Sequence, residues 1–348
     1  MLSVPGEVFY FEQMDHTPTN KVLPAHGGDR THAARCFGPP PPEGWLDLST
    51  GINPHPYPIS TLDPTVWAAL PDPGALLALE ETAARAYGAK AAGCVVAAPG
   101  TQSLIQLMPR LTEALDVRIV GPTYAEHTTS WTAAGKRVSA IKEPAVVEAG
   151  QAMVVVNPNN PDGRRWTPST LASCQRPGGL CVVDEAFADT EMGSSLAPLV
   201  GRPGLVVLRS FGKFYGLAGL RLGFALTDPA TARQLKDWLG PWAVSGPALE
   251  IGRLALSDSA WQDATRAKLS EQAARVDDIL HGAGLDVIGG TSLFRLTRHE
   301  KAEELYQHLG RRGILVRAFA DRPDLLRFGL PGGDAALMRL KVALHAFG

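Results

Sequence analysis

Four short apolar runs, three of them followed at once by a polar cluster, constrain this chain more than any other feature. Residues 117–120 (interrupted only by Arg118), 152–156, 180–183 and 205–208 are four or five residues long and built mainly from Val, Ile and Leu. Runs of that length and composition read as strands covered on both faces. Stretches of helical composition separate them, and strands alternating with helices build a mostly parallel sheet. In such sheets, ligands sit beyond the carboxyl ends of the strands. Chemistry is therefore expected in the polar clusters: Asn157-Pro158-Asn159-Asn160-Pro161-Asp162-Gly163, then Asp184-Glu185-Ala186-Phe187, then Arg209-Ser210-Phe211-Gly212-Lys213.

The rest of the chain frames that sheet. Residues 38–74 are rich in Pro and Gly and predict an irregular arm. Residues 75–87 predict a helix, 94–98 a strand, and 103–115 a helix kinked or broken at Pro109. Further on, 231–239 and 247–280 are helical, with Pro247 suited to a first turn. Strands at 292–297, 313–318 and 325–330 and a helix at 335–347 make a smaller unit. The fold class is α/β, a large domain with a mostly parallel sheet plus a smaller α+β domain. Its expected divisions are an N-terminal arm and part of the small domain (1–55), the large domain (56–245) and the small C-terminal domain (246–348).

Composition narrows the function classes. A chain of 348 residues with 45% hydrophobic content buries one large core or two modest ones, which excludes a small binding module. A formal charge of -2 with interleaved signs gives no support to a nucleic-acid or anionic-membrane partner, so any anion must be held by local groups. The four cysteines form no CxxC pair and the nine histidines no HExxH, which points to reduced thiols and no metal site. The opening stretch carries Glu7, Glu12 and Asp15 without a secretory leader, and no later run is long and apolar enough to span a bilayer. A soluble cytoplasmic protein is expected.

Taken singly, the polar clusters have structural explanations: a turn, a helix cap, a solvated lysine. Together they supply what pyridoxal chemistry demands, namely a lysine amine for a Schiff base, a carboxylate for the pyridine nitrogen, and hydroxyl, amide and guanidinium donors for a phosphate. Gly100-Thr101-Gln102 opens a helix after an expected strand, so its backbone N–H groups suit the same phosphate. No GxxxxGK[ST] loop is present, which removes a nucleotide-binding reading of Lys213.

With these residues in order, the chain resembles the fold-type I aminotransferase superfamily, the aspartate-aminotransferase-like PLP (pyridoxal 5'-phosphate) enzymes. Asn160-Pro161-Asp162-Gly163, Asp184 with Phe187, Ser210 with Lys213, and Arg221 eight residues after the lysine match its pattern. The resemblance implies that Lys213 carries PLP, Asp184 pairs with the pyridine nitrogen, and Asn160 donates to the ring 3-oxygen. It further implies that Tyr124 stacks on the ring and that Ser210, Arg221 and Gly100-Thr101-Gln102 hold the cofactor phosphate. A homodimer with active sites at the subunit interface is implied as well.

Within that superfamily the likeness is to the threonine-phosphate decarboxylases of cobalamin biosynthesis, neighbours of the histidinol-phosphate aminotransferases. His26-Gly27-Gly28-Asp29, Leu46-Asp47-Leu48-Ser49, Ile52-Asn53-Pro54, Pro241-Trp242-Ala243-Val244 and Ile314-Leu315-Val316-Arg317 carry it. The activity implied is decarboxylation of L-threonine O-3-phosphate to (R)-1-aminopropan-2-yl phosphate and CO2. Arg327 then takes the substrate carboxylate, Arg317 and His26 lie near its phosphate, and Gly51, Ile52 and Asn160 border it. The nearest rival is an aminotransferase on a phosphorylated amino substrate of histidinol-phosphate type; Phe187, where those enzymes carry Tyr, and the His26 block argue against it. A non-enzymatic regulator on the same fold is a remote alternative, since such proteins carry a DNA-binding domain ahead of it. Two positions depart from the decarboxylase pattern: Leu70 replaces a Tyr that reaches the partner's cofactor phosphate, leaving either another donor, such as Tyr57, or no contact; and Gly51 stands where Asn is usual.

Overall fold

The computed structural model describes residues 23–348 apart from Ala25 and Met192. The acidic opening stretch with Glu7, Glu12 and Asp15 lies outside the described residues. In chain order the strands are β1 (Leu46–Asp47), β2 (Val95–Ala98), β3 (Asp116–Val120), β4 (Arg137–Ile141), β5 (Ala152–Val156), β6 (Leu180–Asp184), β7 (Leu205–Ser210), β8 (Gly223–Leu226), β9 (Asp286–Thr291), β10 (Phe294–Arg298), β11 (Ile314–Leu315), β12 (Arg317–Ala318) and β13 (Leu325–Gly329).

The central sheet has seven strands in the order β2-β8-β7-β6-β5-β3-β4. From β7 to β4 the pairs are parallel, and β8 runs antiparallel to both β2 and β7. The apolar runs are continuous because alternate residues feed cores on opposite faces. In β5, Ala152 and Val154 enter one core while Met153 and Val155 enter the other. Helices cover both faces, as the absence of polar alternation in the runs requires.

Two strands of this sheet escaped the sequence pattern. β4 is an edge strand whose residues are exposed or half-buried, so it has no apolar run. β8 is short and starts at Gly223, deep in a glycine-rich stretch. The helix expected at 103–115 is instead Thr101–Leu107 followed by a tight 3-10 turn Met108–Leu111, because Pro109 cannot continue the backbone ladder. The stretch 247–280 splits into Gly246–Ser257 and Ser259–Gly282 at Asp258, whose carboxylate caps the second helix by accepting from the Trp261 N–H at 3.0 Å.

The smaller sheet has the order β12-β13-β10-β9. The expected strand at 313–318 divides, β11 pairing with β1 in parallel and β12 with β13 antiparallel. Residues after β1 continue onto this unit, the Gly329 N–H donating to the Leu48 carbonyl at 2.7 Å. An amphipathic helix Ala302–Arg311, not expected from the sequence, buries Leu305, Tyr306 and Leu309 beneath it. Among the described residues no helix is long and apolar enough to cross a membrane.

Candidate active site

Strand ends set the site. Asp184 closes β6, Ser210 closes β7, and Ser210 pairs with Gly223 at the start of β8, which also faces Ala98 at the end of β2. Chain reversals there bring Gly100-Thr101 against Gly223: a Cβ on Gly223 would stand 2.6 Å from the Thr101 nitrogen. Gly100 has φ 84°, open to glycine, and a Cβ on it would lie 2.7 Å from an Arg221 Nη. Arg221 itself takes the left-handed conformation (φ 54°), which turns its guanidinium back over the loop.

All fourteen residues singled out above border one cavity of about 790 Å³: His26, Gly51, Ile52, Gly100, Thr101, Gln102, Tyr124, Asn160, Asp184, Ser210, Lys213, Arg221, Arg317 and Arg327. Lys213 sits at the cavity floor with its Nζ 5.8 Å from the centre of the Phe187 ring. Burial, reinforced by the cations Arg327 and Arg221 and opposed by Asp184, pushes its amine down to about 8. Among the described residues no carboxylate lies within salt-bridge distance of it. Its backbone is pinned by the N-terminal block: the Asn53 N–H donates to the Lys213 carbonyl at 2.9 Å and the Asn53 side chain to the Phe214 carbonyl at 2.8 Å.

Asp184 is buried and held from two sides, accepting from the Ala186 N–H at 3.0 Å and from His127 Nε2 at 2.9 Å. His127 was not anticipated. The only signal was its place one turn after Tyr124, which cannot show that its ring reaches another strand. Tyr124 itself has its phenol pushed up to about 12 by burial and then by Glu126 and Asp184, so it stays protonated.

On the opposite wall Arg317 of β12 and Arg327 of β13 are register partners. Arg327 is buried, donates to Asn160 Oδ1 and, at 2.9 Å, to the Ser49 carbonyl, and lies 5.1 Å from the centre of the Phe294 ring. Its Nε–H has no partner among the described residues. Burial and the charge of Arg317 push its guanidinium down to about 10, leaving it cationic at neutral pH. Arg317 donates to the Pro24 carbonyl at 2.6 Å.

The two departures have structural settings. A Cβ on Gly51 would come within 3.0 Å of both Phe187 and Phe294, rings that pack edge-on 5.0 Å apart, so the aromatic pair fills the room a side chain would take. Leu70 is exposed beside a second, shallower groove, and Tyr57 turns its hydroxyl to Asp258 at 3.3 Å and does not line the main cavity.

Residues 43–344 match the family described as aminotransferase class I and II. The chain is 42% identical over 331 residues to the threonine-phosphate decarboxylase of Pseudomonas aeruginosa, covering 92% of this chain and 97% of that one. It is 44% identical over 326 residues to the threonine-phosphate decarboxylase of a Sinorhizobium species, with the same coverage. Among solved structures, histidinol-phosphate aminotransferase from Sinorhizobium meliloti in complex with pyridoxal-5'-phosphate superposes with a TM-score of 0.75 at 18% identity, covering 91% of this chain and 95% of that one, a likeness that shows the fold.

Proposed function

The chain belongs to the class I and II aminotransferase family, and we propose that it is a PLP-dependent carboxy-lyase converting L-threonine O-3-phosphate into (R)-1-aminopropan-2-yl phosphate and CO2, the aminopropanol linker precursor of cobalamin. The observation that carries this reading is the Arg317–Arg327 pair. Like charges directly opposite on neighbouring strands are unfavourable, and here they face a cavity floored by Lys213 and Asp184. A doubly anionic substrate with a carboxylate and a phosphate monoester relieves that repulsion through planar guanidinium donors.

The residues fit the coenzyme. Gly223 seats the Gly100-Thr101 backbone beside the Arg221 guanidinium, where a side chain on Gly100 would collide with it, and these donors suit the cofactor phosphate; Ser210 adds a hydroxyl, and Asp184 is a fixed acceptor for a protonated ring nitrogen. When bound, PLP supplies the electron sink that the chemistry needs. Asn160 keeps its amide donors for the ring oxygen because its carbonyl oxygen already accepts from Arg327.

The protein's own work is orientation and proton transfer. Arg327 grips the carboxylate and thereby aligns the bond from Cα that breaks, while Arg317 and His26 hold the phosphate. CO2 leaves past the apolar ring of Phe187, which lines the cavity beside Gly51. Lys213, whose lowered amine takes and gives a proton near neutral pH, or another acid, returns the proton to Cα.

The same residues could serve transamination, so substrate orientation decides between the two. Phe187 and the His26 block favour decarboxylation over the histidinol-phosphate type of reaction. We also propose a cytoplasmic homodimer; the exposed Leu70, which lines the second groove, and the exposed Trp67 and Leu77 nearby in the chain support a covered face. The deciding experiment incubates PLP-loaded protein with L-threonine O-3-phosphate and no keto acid. Sustained CO2 release, abolished in Lys213→Ala, is expected. Conversion of the coenzyme to its amine form without CO2 would make the chain an aminotransferase.

A further inference from the structure

Glu126 has no part in the reading above, yet it touches both ends of the site. It stands in the first turn of the helix Ala125–Ala133, where its negative charge is favoured by the helix N-terminus. Its Oε2 accepts from Gln102 Nε2 at 2.8 Å and its Oε1 lies 3.0 Å from His26 Nε2. Gln102 belongs to the first turn of the helix at the cofactor-phosphate end, whereas His26 belongs to the N-terminal block. That block is in turn seated on Ser49, with the Gly28 N–H donating to Ser49 Oγ at 2.8 Å, and Ser49 offers its carbonyl to Arg327. Gly27 packs so closely on the Ser49 backbone that no side chain fits there. A continuous line of contacts therefore runs from Arg327 through Ser49 and His26 to Glu126 and Gln102.

A carboxylate accepts and does not donate, so the ring nitrogen facing Glu126 is the one that carries its proton toward it, and the other nitrogen is left to meet a ligand. The Gln102 amide is fixed in the same way, its N–H to Glu126 and its carbonyl oxygen toward the Tyr124 hydroxyl at 3.5 Å. Resting on the decarboxylase reading for the identity of the substrate, we propose that Glu126 is a positioning residue that latches His26 over the cavity and so sets recognition of the substrate's phosphate group.

The test uses holoenzyme in two ways: steady-state decarboxylation of L-threonine O-3-phosphate, and calorimetric titration with inorganic phosphate. Glu126→Gln keeps the size and one acceptor but removes the charge, and is expected to raise KM about tenfold, the loss of one hydrogen bond to a charged group, with kcat within about twofold. His26→Ala should give a similar KM, and combining the two should add little, because both remove the same contact. Phosphate binding should weaken in parallel. Additive effects of the two substitutions, an unchanged KM, or a loss of kcat or coenzyme content without a change in KM would overturn the latch. Should wild-type holoenzyme release no CO2 while its phosphate affinity still falls in Glu126→Gln, the latch stands and the decarboxylase reading fails.

Discussion

Asp184 and Glu185 are neighbours in the chain, as are Arg209 and Ser210, yet the two members of each pair belong to opposite kinds of site. Asp184 and Ser210 face the cavity. Glu185 and Arg209 face away and close on each other, the Arg209 guanidinium donating to Glu185 at 2.9 Å and to Asp189, while Glu185 also accepts from Ser195 Oγ at 2.5 Å and the Leu196 N–H at 2.7 Å. The same guanidinium covers the Tyr87 ring at 4.4 Å. Both clusters are buried, so burial does not separate function from structure here. Closure does: in one cluster the Arg209 guanidinium lies within ion-pair distance of both the Glu185 and Asp189 carboxylates, whereas in the other no carboxylate among the described residues lies within salt-bridge distance of Lys213 and two arginines are register partners. Cations gathered around a cavity mark where an anionic ligand completes the charge balance.

The sharpest way to break that contrast is to remove one charge from each cluster. Arg209→Ala leaves Glu185 and Asp189 buried without a counter-ion and should cost about 3–5 kcal/mol of stability, read as a lowered midpoint in chemical denaturation. Glu185, already raised by burial against the pull of Arg209, would then be raised further. Asp184→Asn should do the reverse. Decarboxylation should fall about 100- to 1,000-fold, the scale of losing one preorganised electrostatic group, with the denaturation midpoint almost unmoved. Loss of activity in Arg209→Ala at full stability, or unfolding of Asp184→Asn, would erase the distinction.

How much of this was legible in the sequence follows from the same geometry. The strands β5, β6 and β7 could be read because each is buried on both faces, and the residues at their ends lie in contiguous motifs. Lys213, Asp184, Asn160, Ser210 and Arg221 were therefore visible as a set. β4 and β8 were not, since an edge strand shows no apolar run and a four-residue strand opening on glycine shows almost none. Nor could the sequence tell that Arg317 and Arg327 are register partners, because the spacing between two strands does not determine their pairing. His127 and Glu126 were passed over for a related reason. They lie within one turn of a recognised residue, and what they touch comes from other parts of the chain.

The open cluster should also respond to pH in a way the closed one does not. Burial and the cations Arg327 and Arg221 bring the Lys213 amine to about 8, and only the neutral amine is nucleophilic. The rate at which apoenzyme captures PLP, followed by coenzyme absorbance, should rise as pH rises through about 8. Arg327→Met removes a positive charge that disfavours the ammonium form, so the midpoint of that profile should move upward. A midpoint that stays fixed in Arg327→Met would mean that burial alone sets the amine, and that the arginine wall and the lysine are electrostatically independent.

The smallest effect is expected from His127, which joins neither cluster but braces one of them. Its Nε2 donates to Asp184, and its Nδ1 has no partner among the described residues. Replacing it by Phe keeps a buried ring and deletes the donor, so Asp184 keeps only the Ala186 N–H. Loss of a hydrogen bond to a charged group, about 1.5–3 kcal/mol, sets an upper range, and because the bond is one step removed from the reacting atoms its lower end applies, about tenfold in kcat. The coenzyme's long-wavelength absorbance should shift as well, since the carboxylate facing the ring nitrogen loses its anchor. A fall in kcat as large as that of Asp184→Asn would instead make the imidazole and the carboxylate a single functional unit.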